Sequence, residues 1–65
     1  MVKNNVRVRR WEMKIKQYRL ASRIGVAPPV LSEIENGTRL ASDGLKRKIA
    51  RGLSCTVEDL FPGEE

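Results

Sequence analysis

The chain has 65 residues, the length of one small domain, and carries a net charge of +5. The chain has one cysteine and no histidine, which excludes an internal disulfide and argues against a zinc site. We therefore expect neither a metal nor a cofactor. A single cysteine also fits a protein of the reduced cytoplasm. No apolar run reaches the length of a membrane span or signal peptide, and 32% charged residues is normal for a globular protein.

Charge is unevenly distributed along the chain. Residues 1–51 carry all 13 basic residues and four acidic ones, a balance of +9, whereas the charges that follow are all acidic: Glu58, Asp59, Glu64 and Glu65. A basic body favours a polyanionic partner, although a solvated basic surface without a partner explains the same composition. We expect a single domain over 1–65, with its core at about 5–61 and an acidic tail at 62–65.

Residues 6–13 are the first predicted element. They begin with Val6-Arg7-Val8, which alternates like a strand, but the chain offers no second strand to pair with it. We therefore predict a helix whose N-terminus is capped by Asn4 or Asn5.

The sequence predicts whether two positions of this first helix are buried or exposed. Either Arg9 or Arg10 must touch the edge of the core, where a long side-chain stem buries its methylenes and keeps its charge hydrated. Trp11 is the only tryptophan, and we expect it to pack rather than to serve a function.

The next two helices form the most informative stretch. Residues 17–24 predict a short helix that ends at Gly25, with one apolar face made of Leu20, Ala21 and Ile24. Residues 28–36 predict a second helix, which begins with two prolines and ends at Gly37. Two helices joined by a short turn with a glycine match the helix-turn-helix plan, whose second helix enters the major groove of DNA.

The helix over 28–36 has two distinct faces at about 100° per residue. Its core side carries Val30, Leu31 and Ile34. Its opposite side, the one available to a groove, carries Pro28, Pro29, Ser32, Glu33 and Asn36. Gln17 lies in the first turn of the preceding helix, where unpaired backbone N–H groups and its amide form either a phosphate cradle or a local cap.

Two further helices complete the predicted fold. A fourth helix begins at Ser42 or Asp43. Its apolar face, which we expect to point toward the core, carries Leu45, Ile49, Ala50 and Leu53. Thr56 and Asp59 have the spacing of a capping box, which opens a single helical turn with Val57, Leu60 and Phe61 inward. The predicted class is therefore all-α with five short helices.

The ordered set of Gln17, Leu20-Ala21, Gly25-Val26, residues 31–37 and residues 57–61 resembles the Xre/Cro family of phage-repressor-like helix-turn-helix domains. The resemblance covers nearly the whole chain, from Val6 to Phe61. It implies a compact five-helix bundle of lambda-repressor-like type. It also implies a sequence-specific transcriptional regulator, a repressor that binds double-stranded DNA as a homodimer on a pseudo-palindromic operator.

The resemblance also assigns roles to single positions. In the family, the glutamine that opens the second helix contacts a phosphate, which implies this role for Gln17. An arginine of the first helix pairs with the glutamate before Asn-Gly, which implies an Arg10–Glu35 pair that also holds Arg10 near a phosphate. The loop of Thr38 and Arg39 is expected to add a basic phosphate contact.

The chain departs from the family pattern at its helix caps and on its groove face. Lys16 and Ala27 stand where the family has serine or threonine caps, and Lys16 is expected to contact a phosphate instead. Among the groove positions, a proline ring presses on a thymine methyl, while Glu33 either accepts from cytosine or repels phosphates. Base recognition then depends on Ser32, Asn36 and DNA shape, or is relaxed.

A protein-interaction module on the same fold is the alternative function, with Pro28-Pro29-Val30 docking an apolar partner. The antitoxin of a toxin–antitoxin pair is a variant of the regulator, and a regulatory protein is a further candidate partner. An enzyme is not expected, because the chain lacks histidine and is too short to build a cleft. We expect a cytoplasmic, nucleoid-associated protein without membrane contact. The dimer surface is left open, since its candidates serve a core role equally well: Leu53, Cys55, Leu60 and Phe61.

Overall fold

The computed structural model describes residues 4–62, so residues 63–65 of the predicted acidic tail lie outside the described part. Five helices follow one another in this part: α1 (Val6–Glu12), α2 (Gln17–Ile24), α3 (Pro28–Asn36), α4 (Asp43–Gly52) and α5 (Val57–Leu60). No strand occurs among residues 4–62, which confirms the predicted all-α class. None of these helices is long and apolar enough to cross a membrane.

Two asparagines fix the start of α1 and tie it to distant helices. The Asn4 side-chain oxygen accepts from the backbone N–H of Val6 (3.1 Å), and its amide donates to the carbonyl of Ile34 (2.8 Å). The backbone N–H of Asn5 donates to the carbonyl of Leu60 (2.8 Å). The capping hydrogen bond therefore comes from Asn4, although Asn5 occupies the N-cap position.

The helical periodicity of α1 places Arg10, not Arg9, against the core, and Arg10 is only 7% exposed. The same periodicity turns Trp11 outward, where it is 62% exposed. The prediction that Trp11 packs inside the fold is therefore wrong. The inward positions of this short helix are already taken by Val6 and Arg10.

The turn between α2 and α3 depends on Gly25. This residue adopts the left-handed conformation with φ of 76°, which a side chain disfavours. The backbone N–H of Val26 then donates to the carbonyl of Ala21 (3.0 Å), and Val26 packs against the core. This closes α2 and starts α3 within three residues.

The core lies between α2, α3 and α4 and is closed by α5 and the start of α1. Its largest fully buried side chains are Leu20, Leu31, Ile34, Ile49, Leu53, Leu60 and Val6. Gly52 allows α4 to approach α2, since a Cβ at this position would lie 3.1 Å from side-chain atoms of both Ile24 and Leu20. Leu53, Leu60 and Phe61 are core residues, so they are unavailable as a dimer surface.

The capping box predicted for α5 is present. The backbone N–H of Asp59 donates to the hydroxyl oxygen of Thr56, and the Thr56 N–H donates to the Asp59 carboxylate, both at 3.1 Å. Ser42 caps α4 in a similar way, accepting from the N–H of Leu45 (3.2 Å). The Lys46 ammonium lies 5.3 Å from the centre of the Phe61 ring, between α4 and α5.

Acid is expected to weaken the α5 cap. The hydrogen bond from the Thr56 backbone lowers the pKa of Asp59 below its ordinary value. A carboxylate with a lowered folded-state pKa stabilises the fold above its ordinary pKa, and this contribution is lost as pH falls through the folded-state value. We expect the wild type to have a higher free energy of unfolding than Asp59→Asn at neutral pH, and this difference to shrink at about pH 3. Denaturant unfolding at the two pH values measures it. Glu58→Gln is the control, and a pH-independent gap between wild type and Asp59→Asn would contradict the prediction.

Candidate nucleic-acid interface

The outer face of α3 is open to solvent along its length. Pro28, Pro29, Glu33 and Asn36 are exposed, and Ser32 between them is half-buried. The opposite side of the helix packs into the core through Leu31 and Ile34. The two prolines occupy the first turn, where a missing backbone N–H breaks no helical hydrogen bond. These are the five positions that the helical wheel placed on the groove side.

A buried carboxylate, Glu35, joins this helix to α1 and α2. Its side chain is fully buried, and Arg10 binds it in a bidentate pair, with Nε to Oε2 at 2.8 Å and Nη2 to Oε1 at 3.1 Å. The remaining Arg10 nitrogen, Nη1, donates to the carbonyl of Ile15 (3.0 Å). The implied Arg10–Glu35 pair is therefore formed, and it fixes α3 relative to α1 and to the connection before α2.

Gln17 completes the set of donors around this carboxylate. Its side-chain amide donates to Glu35 Oε1 at 3.2 Å, rather than capping its own helix. Neither Lys16 nor Ala27 caps its helix through a side chain, in keeping with the departures seen in the sequence. The first turn of α2 is thereby held beside α3 by a side chain that is itself only half-buried.

Arg7 is a site residue that the sequence reasoning missed. Its Nε lies 3.4 Å from Glu35 Oε1, and its Nη2 donates to the side-chain oxygen of Asn36. The signal was the i,i+3 spacing of Arg7 and Arg10, which places both on neighbouring parts of one helix face. The Asn36 oxygen accepts from Arg7, while its amide nitrogen can act as a hydrogen-bond donor.

The loop after α3 is held against the end of that helix. Arg39 Nε lies 2.6 Å from Glu33 Oε1, and both side chains are about half exposed. The backbone and hydroxyl of Thr38 donate to the carbonyl of Glu33 at 3.0 and 3.2 Å. Arg39 thus compensates the negative charge of Glu33, which reduces the repulsion between Glu33 and a polyanion such as DNA.

Among residues 4–62 the one thiol is that of Cys55, which is half-buried. No group of three or more His, Cys, Asp or Glu side chains within residues 4–62 is placed to hold a metal ion. Burial raises the pKa of the Cys55 thiol, which keeps it protonated at neutral pH and therefore a weak nucleophile.

Comparisons with known proteins agree with this geometry. Residues 6–60 match the model of a family described as helix-turn-helix. Among solved structures, the clp gene regulator ClgR from Corynebacterium glutamicum is similar, with 30% sequence identity and a TM-score of 0.80. The match covers 83% of this chain and 57% of the ClgR chain, so this chain spans little more than half of that protein. No curated protein sequence matches significantly.

Proposed function

We propose that this chain, which belongs to the helix-turn-helix family of Xre/Cro type, is a DNA-binding transcriptional regulator. The observation that carries the proposal is the uncovered outer face of α3, flanked by the first turn of α2 and by the loop of Thr38 and Arg39. A helix in this setting docks in the major groove while its flanks contact the phosphates on either side.

Phosphate contacts are assigned to the flanks of α3. Lys16, Thr38 and Arg39 are exposed there, and Gln17 stands at the first turn of α2. We assign Arg10 a structural role, because its guanidinium is already bound to Glu35 and to the carbonyl of Ile15. The basic balance of residues 1–51 adds a general attraction to DNA.

Base recognition is assigned to few groups. Ser32 offers a hydroxyl, and Asn36 offers an amide donor whose oxygen is already used by Arg7. The rings of Pro28 and Pro29 offer apolar contact to thymine methyl groups. With so few hydrogen-bonding groups on this face, the sequence-dependent shape of DNA is expected to carry part of the specificity.

The finer part of the proposal concerns assembly and effect. A single α3 reads only one short half-site, so a dimer on a pseudo-palindromic operator supplies the length that a specific site needs. Such a dimer acts as a repressor by occluding a promoter in the cytoplasm, at the nucleoid. The family membership and the similarity to ClgR support regulation in general, and the operator arrangement is our proposal.

Replacing Arg39 with alanine is expected to weaken binding to all DNA sequences alike. The substitution removes one phosphate contact, so the slope of log affinity against log salt should fall in magnitude by about 1. Fluorescence anisotropy on one duplex at several salt concentrations measures this slope. Arg51→Ala removes the same charge from the outer side of α4 and is the matched control. An Arg39→Ala slope equal to that of Arg51→Ala would remove Arg39 from the interface.

A protein-interaction module remains the second candidate. The exposed Pro28-Pro29 pair, with half-buried Val30 beside it, makes the N-terminal part of α3 apolar enough to dock another protein. An antitoxin that binds its toxin and represses its own operon is a variant of the regulator rather than of this module, since it binds DNA. Binding to duplex DNA at low salt distinguishes the two functions, because a protein-interaction module is folded but shows no affinity for the duplex.

A further inference from the structure

We propose that a groove between α2 and α4 binds an acidic segment of another protein, one that carries an apolar side chain among its carboxylates. The groove lies at the C-terminal ends of the two helices and is lined by Arg23, Ile24, Lys48, Arg51 and Gly52. It is called the α2–α4 groove below. The inference goes beyond the DNA-binding function proposed above and does not depend on it.

The α2–α4 groove continues onto the outer side of α2. Arg23 also borders a second depression there, together with Tyr18, Arg19 and Ser22. The joined surface carries four cations, two from α2 and two from α4, and no acidic side chain among residues 4–62 lines either part of it. A partner with negative charge is therefore the one that complements this surface.

The cations of this surface differ from other basic residues of the fold in having no carboxylate partner. The arginines of α1 and of the loop after α3 each pair with a glutamate: Arg7, Arg9, Arg10 and Arg39. Within the described part of the chain, none of the four cations beside the α2–α4 groove forms an ion pair. Clustered like charges repel one another and destabilise the fold. A bound acidic segment offsets this repulsion.

Helix ends account for only part of this charge. Arg23 and Arg51 lie in the last turns of α2 and α4, where the helix dipole favours a cation. Arg23 Nη1 also donates to the carbonyl of Gly52 at 3.2 Å, which holds the guanidinium at the edge of the groove. Arg19, by contrast, lies in the first turn of α2, where the dipole disfavours a cation. Helix stability therefore does not explain the charge of Arg19, whereas an acidic partner does.

The polarity of the groove favours a protein segment over the backbone of a nucleic acid. Ile24 and Gly52 are buried at its floor, while Arg23, Lys48 and Arg51 are exposed around it. The groove has a volume of about 310 Å³. A phosphate group has no apolar atoms to bury on such a floor, whereas a leucine flanked by carboxylates meets both the floor and the rim. Arginine and tyrosine, which border this surface, are enriched at protein interfaces.

The α2–α4 groove is at the opposite end of α2 from the flank assigned to DNA. Helix α2 runs from Gln17 to Ile24, so about 10 Å along its axis separates the first turn from the groove. We therefore expect the chain to hold DNA on α3 and an acidic segment between α2 and α4 at the same time. The groove would then place a second protein beside the bound DNA.

A fluorescein-labelled peptide with a central leucine between three aspartates on each side tests the inference. We expect its anisotropy to rise on titration with the full chain, and Lys48→Glu and Arg51→Glu should each weaken binding by about tenfold or more. Arg47→Glu is the matched control, because it makes a similar charge change on exposed α4 surface outside the groove, and it should weaken binding by less than about threefold. Thermal unfolding verifies that the variants fold. A peptide with glycine in place of leucine should bind about tenfold less tightly.

Several results would overturn the inference. Absence of peptide binding at low salt does so. Equal losses in Lys48→Glu and Arg47→Glu would show that binding depends on overall charge alone, and equal affinities for the leucine and glycine peptides would show that the apolar floor is not used. Displacement of the peptide by duplex DNA would assign the groove to the nucleic-acid interface instead. Leucine-dependent binding by a chain that has no affinity for duplex DNA supports the inference and removes only the DNA-binding function.

Discussion

Replacing Glu35 with alanine is expected to lower the free energy of unfolding by about 3–5 kcal/mol, because it leaves a buried arginine without its anionic partner. Arg10 is 7% exposed, and Glu35 receives two of its nitrogens. Arg7 and Gln17 donate to the same carboxylate and lose their acceptor too. In a domain of this size the loss corresponds to a fall in Tm of at least about 12 °C.

The matched control for Glu35→Ala is Glu33→Ala, two residues earlier on the same helix. Glu33 also pairs with an arginine, but both partners are about half exposed, so its removal should cost less than about 1 kcal/mol. The double substitution Arg10→Met with Glu35→Leu should recover much of the loss, because the buried pair is replaced by apolar side chains. Thermal unfolding followed by circular dichroism measures all three. Equal Tm values for Glu35→Ala and Glu33→Ala would contradict the structural role of the buried pair.

Replacing Pro29 with glutamate is expected to weaken DNA binding strongly while leaving the fold intact. Pro29 is exposed in the first turn of α3, which holds no acidic residue, and a carboxylate there is favoured by the helix dipole. On the groove side of α3 the same carboxylate faces phosphates. We expect a loss of about 3 kcal/mol in binding free energy, roughly a hundredfold in affinity.

Pro29→Gln is the neutral control for this substitution. It has nearly the same shape as the glutamate variant and lacks only the charge, so the difference between the two isolates electrostatics at the surface of α3. Anisotropy with one duplex gives the affinities, and thermal unfolding verifies that both variants fold. Equal affinities for the two variants would show that the outer face of α3 does not approach DNA.

Local features of the sequence were enough to predict the five helices. The 3.6-residue period of the apolar positions defines the inward faces of α2 and α4, and the left-handed glycines Gly25 and Gly37 end α2 and α3. The cap of α5 was also predictable, because Thr56 and Asp59 interact within one turn. Each of these features depends on residues close together in the chain.

The parts that the sequence reasoning missed depend on residues far apart. Arg10 binds Glu35, 25 residues later, and only the family resemblance implied this pair. Arg7 meets Asn36 across 29 residues, and Gln17 meets Glu35 across 18. A pattern of single residues does not determine which polar side chains meet when helices pack. The contacts of Arg7 and Gln17 with Glu35 therefore emerged only from the structure.

Selection of random duplex DNA by the purified protein, with anisotropy at low and moderate salt on the enriched sequences, addresses the proposed function itself. We predict an enriched site with two related half-sites whose centres are about 10 bp apart, bound with strong salt dependence. Salt-sensitive binding without an enriched site would contradict the sequence-specific part of the proposal, leaving a DNA-binding surface in which the prolines of α3 read no bases. No binding at low salt would contradict the DNA-binding function as a whole.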